Sequence, residues 1–188
     1  KTGRQVLQYL MDRGHQPTAL VRESSDTGDL PHGVNLRSGD LADLPSDVCD
    51  NMDVVIFAAG SGGNTGAEMT DKVDRDGAKK LVDIAGRSDV KRFVMLSSVG
   101  ADQANPTGDL AHYLKAKHDA DAHLKASGLT YAILRPVALT DDDRHQEVTL
   151  GDAVDKSATA SRADVAHLLA DAAISGCLDG QAVDMQSA

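Results

Sequence analysis

The feature that most constrains this chain is a set of short, unbroken apolar runs separated by longer amphipathic segments. Val54-Val55-Ile56-Phe57-Ala58-Ala59 offers water no polar side chain on either face. A strand of that kind is stable when helices cover it on both sides, as in a parallel sheet. Arg92 to Ser98 and Tyr131 to Pro136 repeat the pattern, and Thr18 to Arg22, Val34 to Ser38 and Ala182 to Met185 give weaker versions of it. Helical stripes lie between them. Val6, Leu7, Leu10 and Met11 share one face of a helix over 4–13 that Gly14 closes. A long helix is predicted from Glu68 to Gly86, another from Leu110 to Ser127 stopped by Gly128, and a third capped by Ser161 and ending near Gly176. A brief helix near 46–50 and a small hairpin around Glu147 to Leu150 complete the reading. Strand and helix alternate about six times, and right-handed crossovers turn that order into an α/β, doubly wound parallel sheet. Residues 1–188 read as one domain.

Charge and composition remove several function classes. There are 19 Lys and Arg against 29 Asp and Glu, a formal charge of −10, with no basic run, so nucleic acid is not an expected partner. Aromatic residues are 3% of the chain, too few for base-stacking platforms. The longest apolar run falls far short of the roughly 20 residues that cross a bilayer. The chain is therefore read as soluble and cytoplasmic, a monomer or homodimer acting on a small molecule. Cys49 and Cys177 are far apart and imply no disulfide framework. His112, His118 and His123 are spaced by six and five, which does not put them on one helical face, and Asp141-Asp142-Asp143 reads as a solvated turn. No metal site is expected.

Three places could carry chemistry. Thr2-Gly3-Arg4 opens the first helix, where backbone N–H groups favour a phosphate. Arg22 ends a strand roughly 20 residues later, the position from which a cation meets the 2′-phosphate of NADP and an acid would meet the 2′-hydroxyl of NAD. Tyr113 and Lys117 lie four apart on one helix, so their side chains share a face, and Ser97 and Ser98 end a neighbouring strand. A phenol titrates near pKa 10, and a neighbouring ammonium favours its phenolate, which suits acid–base work on a carbonyl or alcohol. The Gly60 to Gly66 loop lacks the Lys-Ser/Thr of a P-loop.

Taken in order, Lys1-Thr2-Gly3-Arg4, Ala19 to Arg22, Gly39-Asp40-Leu41, Val55 to Gly60, Val73 to Ala78, Arg92 to Gly100, Tyr113 to Lys117 and Ser127 to Pro136 resemble the atypical short-chain dehydrogenase/reductases. The likeness is to their small single-domain NAD(P)H-binding group, which includes flavin and biliverdin reductase-like proteins, and it runs along essentially the whole chain. It implies a Rossmann fold in which Gly3 is the third glycine of G-x-x-G-x-x-G, with a first strand and two further glycines expected ahead of Lys1. It implies that Thr2, Gly3 and Arg4 lie beside the pyrophosphate and that Arg22 holds the 2′-phosphate. Asp40 and Leu41 would border the adenine, Ala58, Ala59 and Gly60 would pass under the ribose and phosphates, and Pro136 would follow the nicotinamide pocket. Ser98, Tyr113 and Lys117 would be catalytic, Lys117 also bonding the nicotinamide ribose. Asp74 stands where the family usually has Asn, which changes charge and donor capacity. The implied activity is an NADPH-dependent oxidoreductase that passes hydride to a small carbonyl, quinone or flavin-like acceptor. The alternatives are a non-catalytic NADP(H)-binding redox sensor and an epimerase or dehydratase with tightly held cofactor.

Overall fold

The computed structural model describes residues 1–61 and 66–188. Its order is α1 (Thr2–Asp12), β1 (Thr18–Val21), β2 (Asn35–Ser38), β3 (Val54–Phe57), α2 (Ala67–Thr70), a π-helical segment (Asp71–Gly77), α3 (Ala78–Ala85), β4 (Arg92–Leu96) and α4 (Ala111–Ala126). β5 (Tyr131–Pro136), β6 (Ala138–Thr140), β7 (Val148–Leu150), β8 (Thr159–Ser161), α5 (Arg162–Ser175) and β9 (Gln181–Ser187) follow. The central sheet runs β3-β4-β5-β9-β7, parallel except for β7.

Alternation along the central strands assigns each face its helices. Val94 and Leu96 of β4, with Ala132 and Leu134 of β5, pack against Val6 of α1 and Val165, Leu169 and Ala172 of α5. The intervening Phe93, Met95 and Ile133 face Leu81, Val82 and Ala85 of α3 and Ala120 and Leu124 of α4. Both faces of the sheet are thereby covered, as the unbroken apolar runs require, and the fold is a Rossmann-type α/β arrangement. Ser161 caps α5 by accepting from the Asp164 N–H at 3.0 Å, and Gly176 closes it at φ 70°, a left-handed conformation that glycine adopts without strain.

Four local expectations are corrected. β1 and β2 pair with each other and not with the central sheet, so no strand among the described residues joins β1 to β3. Among the described residues β3 is bonded to β4 alone, and Val54, Val55 and Ile56 are only half-buried in place of the full burial their sequence suggested. Residues 46–50 form successive turns, with Val48 N bonded to Pro45 O and Asp50 N to Asp47 O. Asn51, which follows at φ 61°, is in a left-handed conformation that ends this run of turns. Val148 to Leu150 forms no local hairpin but pairs antiparallel with β9, whose Met185 to Ser187 supplies the partner edge.

Candidate functional site

The site begins with the helix that follows β3. The predicted continuous helix over 68–86 contains seven residues of π-helix, Asp71–Gly77, between α2 and α3. Such segments are rare and concentrate at functional places, because the wider turn redirects side chains. Here Asp74 is turned fully inward, at 0% exposure. Gly77 lets this segment approach the chain at Leu41 closely: a Cβ there would lie 2.8 Å from the Leu41 carbonyl oxygen.

Asp74 meets Lys117 of α4. Lys117 Nζ lies 2.9 Å from Asp74 Oδ1, with the two side chains 4% and 0% exposed. This is an ion pair by distance, although among the described residues Oδ1 receives no hydrogen bond of good geometry. The other carboxylate oxygen accepts from Ser61 N at 2.9 Å, and Ser61 Oγ lies 3.2 Å from Thr70 Oγ1, so the loop after β3 is tied to the helix that carries Asp74. Lys117 also donates to the Leu96 carbonyl at 3.4 Å, at the end of β4. Its ammonium stands 5.8 Å from the Phe57 ring centroid and 5.7 Å from that of Tyr113, within cation–π range.

The four residues proposed from sequence as catalytic are therefore placed in two ways. Asp74, Lys117 and Tyr113 adjoin one another, whereas Ser98, half-buried after β4, donates to the Val99 carbonyl at 3.3 Å. Three participants escaped the sequence reading: Ser61 through its backbone N–H, Thr70 through its hydroxyl and Phe57 through its ring face. An inward aromatic at the last position of an apolar strand was the available signal for Phe57.

The residues that the sequence assigns to a nicotinamide dinucleotide begin at α1. The first turn of α1 contains no acid and no side chain caps it, so the N–H groups of Thr2 and Gly3 could meet a phosphate, while Arg4 N donates to the Lys1 carbonyl at 3.2 Å; Gly3 lies beside Ala58, whose Cβ a glycine substituent would meet at 4.0 Å. Thr2 is buried, while the Arg4 guanidinium is engaged by Asp29 at 2.5 Å. Arg22 is exposed just after β1, and its guanidinium makes no ion pair among the described residues. Asp40 Oδ1 accepts from Ala42 N at 2.9 Å in a tight turn, with Leu41 half-buried behind it. Ala58, Ala59 and Gly60 follow β3 as irregular chain, and Gly62 to Thr65 of the glycine-rich loop lie outside the described residues. Pro136 is buried at the end of β5, its carbonyl accepting from Val99 N at 3.0 Å.

A second buried pair lies one turn along α4. Arg135 of β5 donates through Nε to Asp121 Oδ2 at 2.9 Å, and its Nη2 lies 2.8 Å from the same oxygen. Both side chains are below a tenth exposed. Burial pushes the Asp121 carboxyl above the usual carboxylate range, against the opposing influence of Arg135, Ser97 and Lys117. Ser97 lies close enough to Asp121 to favour its ionised form, yet neither Ser97 Oγ nor Asp121 Oδ1 has a hydrogen-bond partner of good geometry. A charge inside the apolar run of β5 was the sequence signal for this pair. The three histidines of α4 go separate ways, to Asp71, to the Ala101 carbonyl and to Asp83.

A family profile described as NAD(P)H-binding matches residues 1–175. The chain belongs to this NAD(P)H-binding family. The NAD(P)H-binding chain is 36% identical over 146 residues to the uncharacterized sugar epimerase YhfK of Bacillus subtilis, covering 74% of this chain and 68% of that one. It is 33% identical over 152 residues to a UPF0659 protein of Saccharomyces cerevisiae, covering 74% of this chain and 66% of that protein. The chain thus spans about two thirds of these relatives. Among solved structures, one from Bacillus halodurans, named as a candidate NAD-dependent epimerase/dehydratase, is 32% identical with TM-score 0.93, covering 100% of this chain and 90% of that one. The Lactococcus lactis oxidoreductase ylbE is 28% identical with TM-score 0.84, covering 100% and 87%.

Proposed function

We propose that this chain is an oxidoreductase that uses NADPH to reduce a small carbonyl, quinone or flavin-like acceptor. The observation that carries the reading is the assembly of Tyr113 and Lys117 with the buried Asp74 at the C-terminal ends of β3 and β4, where ligands of open α/β sheets bind. The cofactor, when bound, supplies the hydride. Thr2 and Gly3 at the start of α1 take the pyrophosphate, Ala58 to Gly60 border the ribose, and Arg22 takes the 2′-phosphate, for which an unpaired guanidinium is suited. Asp74 holds the Lys117 ammonium in place from one side while the Leu96 carbonyl holds it from another. Lys117 in turn keeps a positive charge against the Tyr113 ring, so that the phenol delivers a proton to the oxygen of the reduced acceptor and recovers one from the lysine. Ser98 orients the acceptor.

The test is NADPH oxidation with a panel of carbonyls, quinones and flavins, comparing the parent with Tyr113→Phe. Carbonyl reduction is expected to vanish in the variant. Unchanged turnover removes Tyr113 from the mechanism and leaves direct hydride transfer to a flavin-type acceptor. A second reading, an epimerase or dehydratase with tightly held cofactor, draws support from the names of the relatives above 30% identity. It predicts a purified protein that carries nucleotide and turns over a sugar derivative with no net NADPH oxidation.

A further inference from the structure

The loop between β6 and β7 opens with Asp141, Asp142 and Asp143, all exposed. The first of them reaches across to the start of α1. Asp141 Oδ2 accepts from Lys1 Nζ at 2.5 Å, and Oδ1 accepts from Arg162 Nη1 at 2.6 Å. Among the described residues neither cation has another acidic partner. Lys1 is the residue before α1 and Arg162 is the first residue of α5, so the bridge through Asp141 sets the two helix starts side by side. A cation is ill-suited to the first turn of a helix, whose N–H groups already carry partial positive charge. Helix stability therefore does not account for Arg162. An anion does suit the place, and Asp141 supplies one: the bond from Lys1, helped by the charge of Arg162, holds its carboxyl below the ordinary value of 3.8, so it is ionised at neutral pH. The far end of the loop is fastened separately. The His145 and Gln146 N–H groups donate to Asp164 at 3.2 and 3.3 Å, and Ala188 N donates to the Glu147 carbonyl at 3.0 Å. Asp141 can leave its two cations without loosening those bonds.

We infer that Asp141 is a built-in stand-in for the cofactor's pyrophosphate, and that Arg162 becomes a ligand of that pyrophosphate once Asp141 has been displaced. The inference rests on the placement of the pyrophosphate at α1 given above. Phosphate is the stronger partner for these cations, because a guanidinium meets two of its oxygens through parallel N–H bonds. The Asp141 carboxylate, 57% exposed, is held only as surface ion pairs are. An anion that does not also satisfy the Thr2 and Gly3 N–H groups gains too little to drive the acid out, so the occupied state screens the site against unrelated anions. Once displaced, Asp141 joins Asp142 and Asp143 in solvent, and repulsion from the bound phosphates turns 141–143 away from α1. Arrival of the cofactor thereby moves the chain that leads on from β6. The exchange is one of ion pairs alone, with no covalent bond made or broken.

The test is calorimetric titration of NADPH into the parent, Asp141→Asn and Arg162→Gln, with adenosine 2′-monophosphate, which has no pyrophosphate, titrated in parallel. Asp141→Asn removes the competing charge at an exposed position and is expected to tighten NADPH about threefold, the scale of a solvent-exposed ion pair. Damage to the fold does not tighten a ligand. Arg162→Gln is expected to weaken NADPH by about tenfold, as loss of a charge-assisted phosphate bond does. Neither change is expected to move the affinity for adenosine 2′-monophosphate. In ¹⁵N-labelled parent protein the amide signal of Asp143 should shift on addition of NADPH, and in Asp141→Asn it should lie near the bound position before any is added. Equal NADPH affinity in the parent and Asp141→Asn, unchanged affinity in Arg162→Gln, or a parallel change for adenosine 2′-monophosphate overturns the inference, as does failure of NADPH to bind any of these proteins. Because binding and not turnover is measured, the expected affinities without NADPH oxidation across the acceptor panel would sink the oxidoreductase reading and leave this inference standing.

Discussion

Truncation of Asp74 is the most informative perturbation of this molecule. In Asp74→Ala the Lys117 ammonium, 4% exposed, keeps one oxygen contact, the Leu96 carbonyl at 3.4 Å, and the two ring faces at 5.8 and 5.7 Å. The Ser61 N–H loses its acceptor at the same time. Removing one member of a buried ion pair costs about 3–5 kcal/mol, because the other is left charged and desolvated. At about 2–4 °C per kcal/mol for a domain of this size, the midpoint of thermal unfolding is expected to fall by about 6–20 °C. Lys117→Met should cost a similar amount, since it strands the carboxylate. The pair is tested by a double-mutant cycle in urea, followed by circular dichroism at neutral pH. The double variant has neither charge to strand, so it should be more stable than the sum of the single losses predicts, by about 2 kcal/mol or more. Additivity within about 0.5 kcal/mol would refute the argument, since independent sites add to that accuracy.

Three further outcomes follow from other parts of the structure. Calorimetry should show the parent favouring NADPH over NADH, and Arg22→Ala should erase a difference of about tenfold or more, in keeping with loss of a charge-assisted phosphate contact; equal affinities in the parent refute the assignment of Arg22. Gly77→Ala places a Cβ 2.8 Å from the Leu41 carbonyl oxygen and should destabilise by about 1–3 kcal/mol in denaturant, the usual result of overpacking. Burial acts to raise the Asp164 carboxyl, but bonds from Ser187, the His145 N–H, Ser161 and the Gln146 N–H outweigh it and hold the group below its ordinary value of 3.8. Its stabilising contribution is present above that ordinary value and is lost as pH falls through the folded value, so the stability gap between parent and Asp164→Asn should narrow on acidification from about pH 5 to about pH 3.

Much of this was readable from the chain because period and spacing are local properties. The apolar runs at 92–98 and 131–136 specified strands covered on both faces, and four-residue spacing put Tyr113 and Lys117 on one side of a helix. Asp74 was singled out, but its pairing with Lys117 joins residues 43 apart in sequence through a backbone irregularity that hydropathy cannot register. The half-burial of β3 was hidden for a related reason: the sequence of a strand does not say how many of its edges are bonded. Arg135 was given no role in the sequence reading, although a guanidinium inside an apolar run demands an inward partner, and Asp121 supplies it.

The π-helical segment makes the candidate centre unusually sensitive to chain length. Each residue of an α-helix advances the side-chain direction by about 100°, so deleting one residue from 71–77 to recover regular winding would swing either Asp74 or all of α3 out of phase with its surroundings. The packing of Leu81, Val82 and Ala85 against the sheet would hold α3 in place and pass the rotation to the N-terminal side. Phase is thus stored in the backbone at this point, where the number of residues matters as well as their identity.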